Sequence, residues 1–228
     1  LEPYTMSLSI IIPTLNEAAN LPALLAELAP LQARGAQIIV ADGGSTDASR
    51  DLLPAAVEWL DAPRGRARQM NAGAAQASGS VLWFVHADTR LPAEADQLIE
   101  AALAGGRHCW GRFDLRIDGR PWLLKVVARL ISWRSRLTSI ATGDQGIFVL
   151  RSHFETLGGY ADQPLMEDIE LCTRLRQLSA PACIGTRLST SGRRWEQRGV
   201  WRTIWLMWRL RWAYWRGVPV AQLAEAYR

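Results

Sequence analysis

Short apolar runs alternate with stretches of helical periodicity through the first half of the chain. Ser7 to Pro13 (SLSIIIP), Gln37 to Ala41 (QIIVA), Val57 to Leu60 and Val81 to Val85 each read as a strand, and the first is apolar enough to be buried on both faces. A helix is expected after Asn20, a candidate N-cap, with Pro22 in its first turn and Leu21, Leu24, Leu25 and Leu28 on one face. Ser45 or Asp47 can cap a short helix after the second strand. A small-residue helix over Gly65 to Ala77 carries Arg66, Arg68, Gln69 and Asn71. Elements alternating at this spacing form βαβ units. The expected fold class is therefore α/β, a mostly parallel sheet with helices on both faces.

The second half is less regular. Ala93 to Ala104 predicts a helix, and Cys109 to Ile117 (CWGRFDLRI) alternates like a strand, here expected to be antiparallel. Trp122 to Leu137 predicts a basic amphipathic helix, and Gln145 to Leu150 a strand entered through Gly143-Asp144. Glu167 to Leu178 predicts a helix opening on two acids, which the helix dipole favours. Arg193 to Arg216 is rich in Trp and Arg, and a short helix closes the chain. No internal repeat or low-complexity linker interrupts this order.

At 228 residues and 49% apolar composition, the chain can bury one substantial core. The division expected is a domain over 6–190 and a C-terminal helical extension over 191–228. A net charge of +4 and a pI near 9.3 suit phosphate-bearing ligands or an anionic membrane surface, and do not by themselves indicate nucleic acid. Cys109, Cys172 and Cys183 are too few and scattered for a disulfide framework or a Cys-type zinc site, which fits a reduced cytosolic protein. Neither a signal peptide nor a charge-free apolar run of the ~20 residues that span a bilayer is evident. Leu1 to Thr5 read as residues ahead of a native start at Met6. The expected location is cytoplasmic, extending to the inner face of the cell membrane.

Candidate chemistry gathers at strand ends. Val81 to Val85 stops abruptly at His86-Ala87-Asp88, and a carboxylate just past a buried strand sits where open α/β sheets bind ligands. Asp88 is thus a candidate ligand for Mg²⁺ or Mn²⁺, hard cations that keep waters and lean on substrate phosphates. Asp42 ends the second strand in the same way. It can meet a base N–H or a ribose hydroxyl, or Asp42 to Asp47 can be only a turn with a helix cap. Asp168, beside Glu167, is a candidate general base, which needs only hydrogen-bond reach of an acceptor hydroxyl; the alternative is a pair of solvated first-turn acids. For His86 three roles stay open: metal ligand, donor to phosphate, or structural residue at a strand end.

Five motifs in order carry a resemblance: Ile-Ile-Pro-Thr-Leu-Asn-Glu, Ala-Asp-Gly-Gly-Ser-Thr-Asp, Gly-Arg-Ala-Arg-Gln-Met-Asn-Ala-Gly, His-Ala-Asp and Glu-Asp. Together they resemble a family 2 glycosyltransferase of the GT-A fold over about residues 7 to 180. His-Ala-Asp-Thr-Arg-Leu-Pro, Gly-Asp-Gln-Gly-Ile-Phe, Pro-Leu-Met-Glu-Asp-Ile-Glu and Ser-Gly-Arg-Arg-Trp are similar to the small bacterial branch associated with radical-SAM and selenium-related genes. The resemblance implies inverting transfer from a nucleoside-diphosphate sugar to a hydroxyl acceptor, assisted by Mg²⁺ or Mn²⁺. It implies that Pro13, Thr14, Asn16, Glu17, Asp42, Arg66, Asn71 and Ala87 line the nucleotide site. Asp88 corresponds to the last acid of the family's Asp-x-Asp metal motif, with His86 where the first acid usually stands. Asp168 corresponds to the catalytic base, supported by Glu167. Asp144, Gln145, Arg193, Arg194 and Trp195 are implied on the acceptor or diphosphate side. Ser191 stands where processive synthases carry the Gln of Gln-x-x-Arg-Trp, so a polymerase is not expected.

The tail offers two readings. Arg202, Arg209 and Arg216 fall seven apart on one helical stripe, which suits an interfacial helix with Arg on lipid phosphate and Trp at headgroup depth. Arg211, opposite Arg202, spoils that face and favours a helix packed on the domain or on a second subunit. No RNA-binding motif accompanies these residues. The acceptor, lipid-linked or a small polar molecule, and the oligomeric state are left open. The rival to a transferase is a catalytically silent nucleotide-sugar-binding or membrane-docking protein.

Overall fold

A computed structural model describes residues 6–227. Leu1 to Thr5, expected to precede a native start, and Arg228 lie outside the described residues. The first half runs β1 (Leu8–Thr14), α1 (Leu21–Ala33), β2 (Gln37–Asp42), β3 (Glu58–Asp61), α2 (Arg66–Gln76) and β4 (Val81–Phe84). Their strands pair in parallel as β3-β2-β1-β4. Period-two alternation sends β1 into two cores: Ile10 and Ile12 pack with α1, while Ile11 packs against α2 residues such as Met70. Five leucines of α1 are buried, each stabilising by about 2 kcal/mol relative to exposure. Asn20 occupies the N-cap position, but its amide donates to Glu17 Oε2 (2.6 Å) and caps nothing.

The second half runs β5 (Thr89–Arg90), α3 (Ala95–Leu103), β6 (Trp110–Asp118), α4 (Leu123–Thr138), β7 (Phe148–Leu150), α5 (Arg151–Thr156), α6 (Glu167–Leu178), β8 (Ala182–Ser191), α7 (Arg193–Arg198), α8 (Val200–Trp215) and α9 (Val220–Tyr227). The sheet continues as β4-β7-β6-β8-β5. β7 is antiparallel to both β4 and β6, and β6 runs parallel to β8. The parallel half thus ends at β4, and its carboxyl edge faces the loops that enter β7 and α6.

Three expectations need correction. The short helix after β2 is a 3-10 turn over Arg50–Leu52 with Ser49 at its cap position; Asp47 braces Ser49, and Ser45 bonds Asp42 instead. Gly143–Gln145 is also a 3-10 turn, so β7 begins only at Phe148. β8, a polar strand, was not expected at all; it is held by pairing with β6 and β5 rather than by an apolar pattern. The Trp/Arg-rich stretch is two helices, parted at Gly199.

The tail packs on the domain through two clusters. Val200, Ile204 and Trp195 join Leu124, Val127, Ala128 and Ile131 of α4. Leu210 and Leu223 join Leu165 and Met166, the residues leading into α6. α8 therefore touches both α4 and the start of the helix that carries Glu167 and Asp168.

Candidate active site

At the carboxyl edge, β1 and β2 end in interlocked loops. Asp42 is buried and accepts from the backbone N–H of Gly44 (2.9 Å) and Ser45 (2.8 Å) and from the Ser45 hydroxyl. The turn reading of Asp42 therefore describes its present partners, and a carboxylate with two oxygens keeps acceptor capacity beyond them. Asn16, in the left-handed region at φ 55°, accepts from Thr46 N–H (2.8 Å), while its own N–H donates to Ser45 Oγ (2.8 Å). The Glu17 N–H donates to Ser49 Oγ (3.0 Å). Gln69, assigned no role from sequence, is buried and donates from Nε2 to the carbonyls of Thr14 (2.7 Å) and Ala41 (2.8 Å), locking the two strand ends together. Pro13, Thr14, Asn16 and Glu17 thus lie on one braced rim with Asp42.

Asn71 sits deeper. Its amide makes a two-point bond to the Tyr160 backbone, donating to O and accepting from N–H, both at 2.8 Å. Gly159 is required there: at φ 74°, its Cβ would fall 2.6 Å from Asn71 Oδ1. Asn71 consequently positions the loop before α6.

The chemistry-bearing residues meet around the turn Gly143–Gln145. His86 Nδ1 pairs with Asp144 Oδ1 (3.1 Å), and the ring lies on Gly143, whose Cβ would fall 2.7 Å from it. The Gly143 N–H donates to Asp168 Oδ2 (2.8 Å), and the Ile169 N–H to Asp168 Oδ1 (2.8 Å). One turn thereby links the end of β4 to the start of α6. Met166, immediately before Glu167, holds φ 63°, a conformation that costs a non-glycine residue about 1–2 kcal/mol. Glu167 is 3% exposed and accepts from Arg66 Nη1 (3.1 Å), so it is not a solvated first-turn acid.

The charges of these groups are coupled. Burial and the neighbouring Glu167 push the Asp168 carboxyl above its ordinary range, against the two backbone N–H bonds and Arg66 that favour the anion. Loss of hydration works against the Arg66 cation, but Glu167, Asp144 and Asp168 outweigh it and raise its pKa. Asp144 also resists desolvation; its bond to His86, together with Arg66 and Arg194, holds it below the usual carboxylate range. Burial lowers Arg194, aided by Arg198 and Arg66, while Asp144 and Asp88 act in the opposite direction. Arg194 is exposed, with its guanidinium 4.3 Å from the centre of the Tyr227 ring.

Other expected site residues lie elsewhere. Gln145 is 0% exposed; its Nε2 donates to Phe113 O (3.2 Å) and Ser135 Oγ (3.1 Å), and its Oε1 accepts from the Thr142 N–H (3.2 Å). It cannot touch an acceptor, and instead anchors the central turn. Trp195 packs in the cluster between α4 and α8 rather than presenting a free ring. Arg193 is exposed beside Arg194. Asp88 lies in the turn after β4, next to buried Ala87. Among the described residues no group of three acidic, His or Cys side chains is placed to enclose a metal. Asp88 suits an ion held by one carboxylate, waters and substrate phosphates. His86 is already engaged with Asp144.

The fold is of the GT-A type, a mostly parallel sheet with flanking helices, and solved glycosyltransferase structures share it. The structure of S. aureus TarS in complex with UDP has a TM-score of 0.64 at 16% identity, covering 82% of this chain and 60% of that one. A mannosyltransferase from Pyrobaculum calidifontis in complex with GDP-Man and Mn²⁺ has 0.64 at 22%, covering 92% and 61%. Glucosyl-3-phosphoglycerate synthase from Mycobacterium tuberculosis, with Mn²⁺, UDP and glucosyl-3-phosphoglycerate, has 0.60 at 20%, covering 81% and 71%.

The family follows from sequence. The model described as Glycosyl transferase family 2 matches residues 9–153, and the chain belongs to that family. A PGL/p-HBAD biosynthesis glycosyltransferase of Mycobacterium bovis is 41% identical over 165 residues, which is 67% of this chain and 62% of that protein. An undecaprenyl-phosphate 4-deoxy-4-formamido-L-arabinose transferase of Pseudomonas aeruginosa is 35% identical over 155 residues, 62% of this chain and 43% of that protein. The chain thus spans less than two thirds of the length of these relatives.

Proposed function

We propose that the chain is an inverting, metal-assisted glycosyltransferase that moves a sugar from a nucleoside-diphosphate sugar to a hydroxyl acceptor at a membrane surface. The observation that carries the chemistry is Asp168, a desolvated carboxylate aimed by two backbone N–H groups and raised by its neighbour Glu167. A base with a raised pKa binds a proton more readily than a free aspartate. Asp168 takes the proton of the acceptor hydroxyl, whose oxygen attacks the anomeric carbon opposite the diphosphate. The carbon–oxygen bond to the diphosphate breaks with its electron pair, so one displacement inverts the centre. Arg194 lies on the side of Asp88 and offsets the leaving charge. Asp88 would hold Mg²⁺ or Mn²⁺ against the diphosphate, where the ion's charge stabilises the departing group. The loops of Asp42 and Asn16 form the rim for the nucleoside. The motif resemblance extends this reading to the radical-SAM and selenium-associated branch.

A membrane site is supported by the outer face of α8. Trp201, Trp205, Trp208, Trp212 and Trp215 fall on one stripe and are 59–80% exposed. Arg202, Arg209 and Arg216 flank them, with Arg209 over Trp205 and Arg216 over Trp212, each 5.1 Å from the ring centre. α4 repeats the design: Trp122, Val126, Leu130, Trp133 and Leu137 are exposed in one stripe, flanked by Lys125, Arg129 and Arg136. Arg211, which spoiled the pattern in sequence, is turned inward. Tryptophan with flanking arginine fits anionic lipid, not a polar solvent face. Among the described residues no helix is long and apolar enough to cross a membrane.

The test is calorimetry with nucleoside diphosphates and nucleotide sugars, with and without Mn²⁺. One nucleotide binding only with metal, weakened in Asp88→Ala, supports the donor site. Turnover of the matching sugar, lost in Asp168→Asn while nucleotide binding persists, supports the base. No nucleotide binding, or unchanged turnover in Asp168→Asn, defeats the reading.

A further inference from the structure

Most of the buried or half-buried arginines around this site have an oxygen partner. Arg66 meets Glu167, Arg112 meets Asp114, and Arg174 meets Glu170. Two do not. The Nη2 atoms of Arg134, on α4, and of Arg211, on α8, are buried without a hydrogen-bond partner among the described residues. α4 and α8 meet in the cluster that holds Ile131 and Ile204; Arg134 lies one turn beyond Ile131, and Arg211 seven residues beyond Ile204. They are close enough for Arg211 to depress Arg134. Burial first, then Arg211, pulls Arg134 down to about 10. Burial also lowers Arg211. Both feel the same carboxylate, Asp168, whose oxygens are already engaged by the Gly143 and Ile169 N–H groups.

Two buried guanidiniums without a counter-charge cost stability unless an anion joins them. We propose that Arg134 and Arg211 hold a phosphate group of the acceptor, seated between α4 and α8 beside Asp168. This rests on the transferase reading above, and names the acceptor as a phosphate ester. The donor's diphosphate has its own cationic side, Asp88 with its ion and Arg194, so the arginine pair addresses a second anion. A phosphate offers three oxygens to two planar forks, a better match than a single carboxylate. An anion bound there would place the rest of the acceptor next to the base. The two arginines sit on the same helices as the exposed stripes, so a lipid phosphate and a water-soluble phosphate ester share the chemistry.

The experiment titrates the full chain with inorganic phosphate at constant ionic strength, in the presence of Mn²⁺ and saturating UDP or GDP, whichever binds. The expected result is saturable phosphate binding, weakened at least about tenfold in Arg134→Gln and in Arg211→Gln, with nucleotide affinity unchanged within about twofold. Arg211→Lys, which keeps charge and stem, guards against a misfolded Gln variant and should also bind phosphate more weakly than the wild type. Equal phosphate binding in wild type and all three variants overturns the proposal, as does phosphate that only competes with the nucleotide. If neither nucleotide binds, the transferase reading fails, and the same titration without nucleotide still judges the arginine pair. Flotation with phosphatidylcholine vesicles, with or without phosphatidic acid, then separates the sources. Recruitment by phosphatidic acid that is lost in Arg134→Gln identifies a lipid phosphate; phosphate binding lost without any change in recruitment identifies a soluble ester.

Discussion

Replacing Trp208 and Trp212 together with serine tests the outer face of α8 without touching its packed face. Trp208 is 76% and Trp212 59% exposed, and neither belongs to an apolar cluster. With roughly 250 Å² for a whole Trp, the two present about 340 Å² to solvent. If half of that leaves water at headgroup depth, about 170 Å² at ~25 cal/mol/Å² contributes about 4 kcal/mol. Arg216 already covers one face of Trp212, which brings the figure nearer 3 kcal/mol, or roughly a hundredfold in partition. The assay is cosedimentation with vesicles of phosphatidylcholine and phosphatidylglycerol, beside a thermal melt. The double variant should lose about two orders of magnitude in partition and keep its melting temperature, because those rings contact solvent in the fold. Added salt should weaken the wild type further, since each flanking arginine contributes about 1 kcal/mol at an anionic surface and is screened. Undiminished partition in the variant would refute the lipid-facing assignment. A large fall in melting temperature would instead make the tryptophans structural.

Asp168→Asn should lower kcat by about 10²–10⁴. The amide keeps one acceptor oxygen, so one of the two backbone N–H groups at Gly143 and Ile169 loses its partner, at a cost of about 1–3 kcal/mol. In the wild type the raised Asp168 pKa makes its contribution to stability largest at low pH and declining as pH rises through that pKa, and a contribution that instead grows over that range would contradict the raised pKa. The acid limb of kcat/KM in the wild type should lie above the ~4 of an ordinary aspartate, and a limb at or below that value would mean that Asp168 is not the base. Arg134→Gln should stabilise the protein in phosphate-free buffer. The depression of Arg134 to about 10 sets a ceiling of about 3 kcal/mol at neutral pH, and solvent relaxation brings the expected gain to ~1 kcal/mol, read by chemical denaturation. Destabilisation there would show an internal partner for Arg134. Gln145→Ala should cost about 2–4 kcal/mol, because the Phe113 carbonyl and Thr142 N–H lose their partner inside the core. A change in substrate affinity at unaltered stability would restore Gln145 to the acceptor side.

The parallel half of the fold was legible because each strand is a short apolar run and each helix has one leucine- or alanine-rich face. Local pattern and tertiary burial agree there, as in Ile10 to Ile12 and in Leu21 to Leu28. The strand ends that carry Asp42 and Asp88 were legible for the same reason: the apolar run stops where the carboxylate begins. β8 was hidden because a strand paired on both sides can be polar, and Thr186 to Ser191 shows no apolar alternation. Gln145 misled because a polar residue beside Asp144 in a short motif looks available, while its burial depends on β6 and α4, more than thirty and ten residues away. Gln69 was missed in the converse way: nothing local marks an amide that bridges two strand ends. In α8 the exposed, packed and inward-reaching residues all repeat at the same helical period. Composition reads their sum, and only packing against α4 and Leu165–Met166 separates Trp208 from Leu210 and Arg211.

That separation also organises the site's charge. Asp168 stands between two sets of groups. On one side Arg66 is surrounded by Glu167, Asp144 and Asp168 itself, an arrangement that is acidic in sum and suits a donor arriving with a cation. On the other, Arg134 and Arg211 repel each other and lack a counter-ion of their own. On the proposed reading two anionic substrates approach one sugar carbon, and their mutual repulsion falls if each is neutralised by a different set of cations. A single shared cationic patch would instead let the donor's diphosphate occupy the acceptor's place. α8 adds Arg211 to Arg134 of α4 only because the tail folds back onto α4. Removing α8 and α9, while keeping Arg194 on α7, should therefore abolish acceptor use and leave metal-dependent nucleotide binding at the rim of β1 and β2, and a truncated chain that folds yet still transfers sugar at the full rate would break this division.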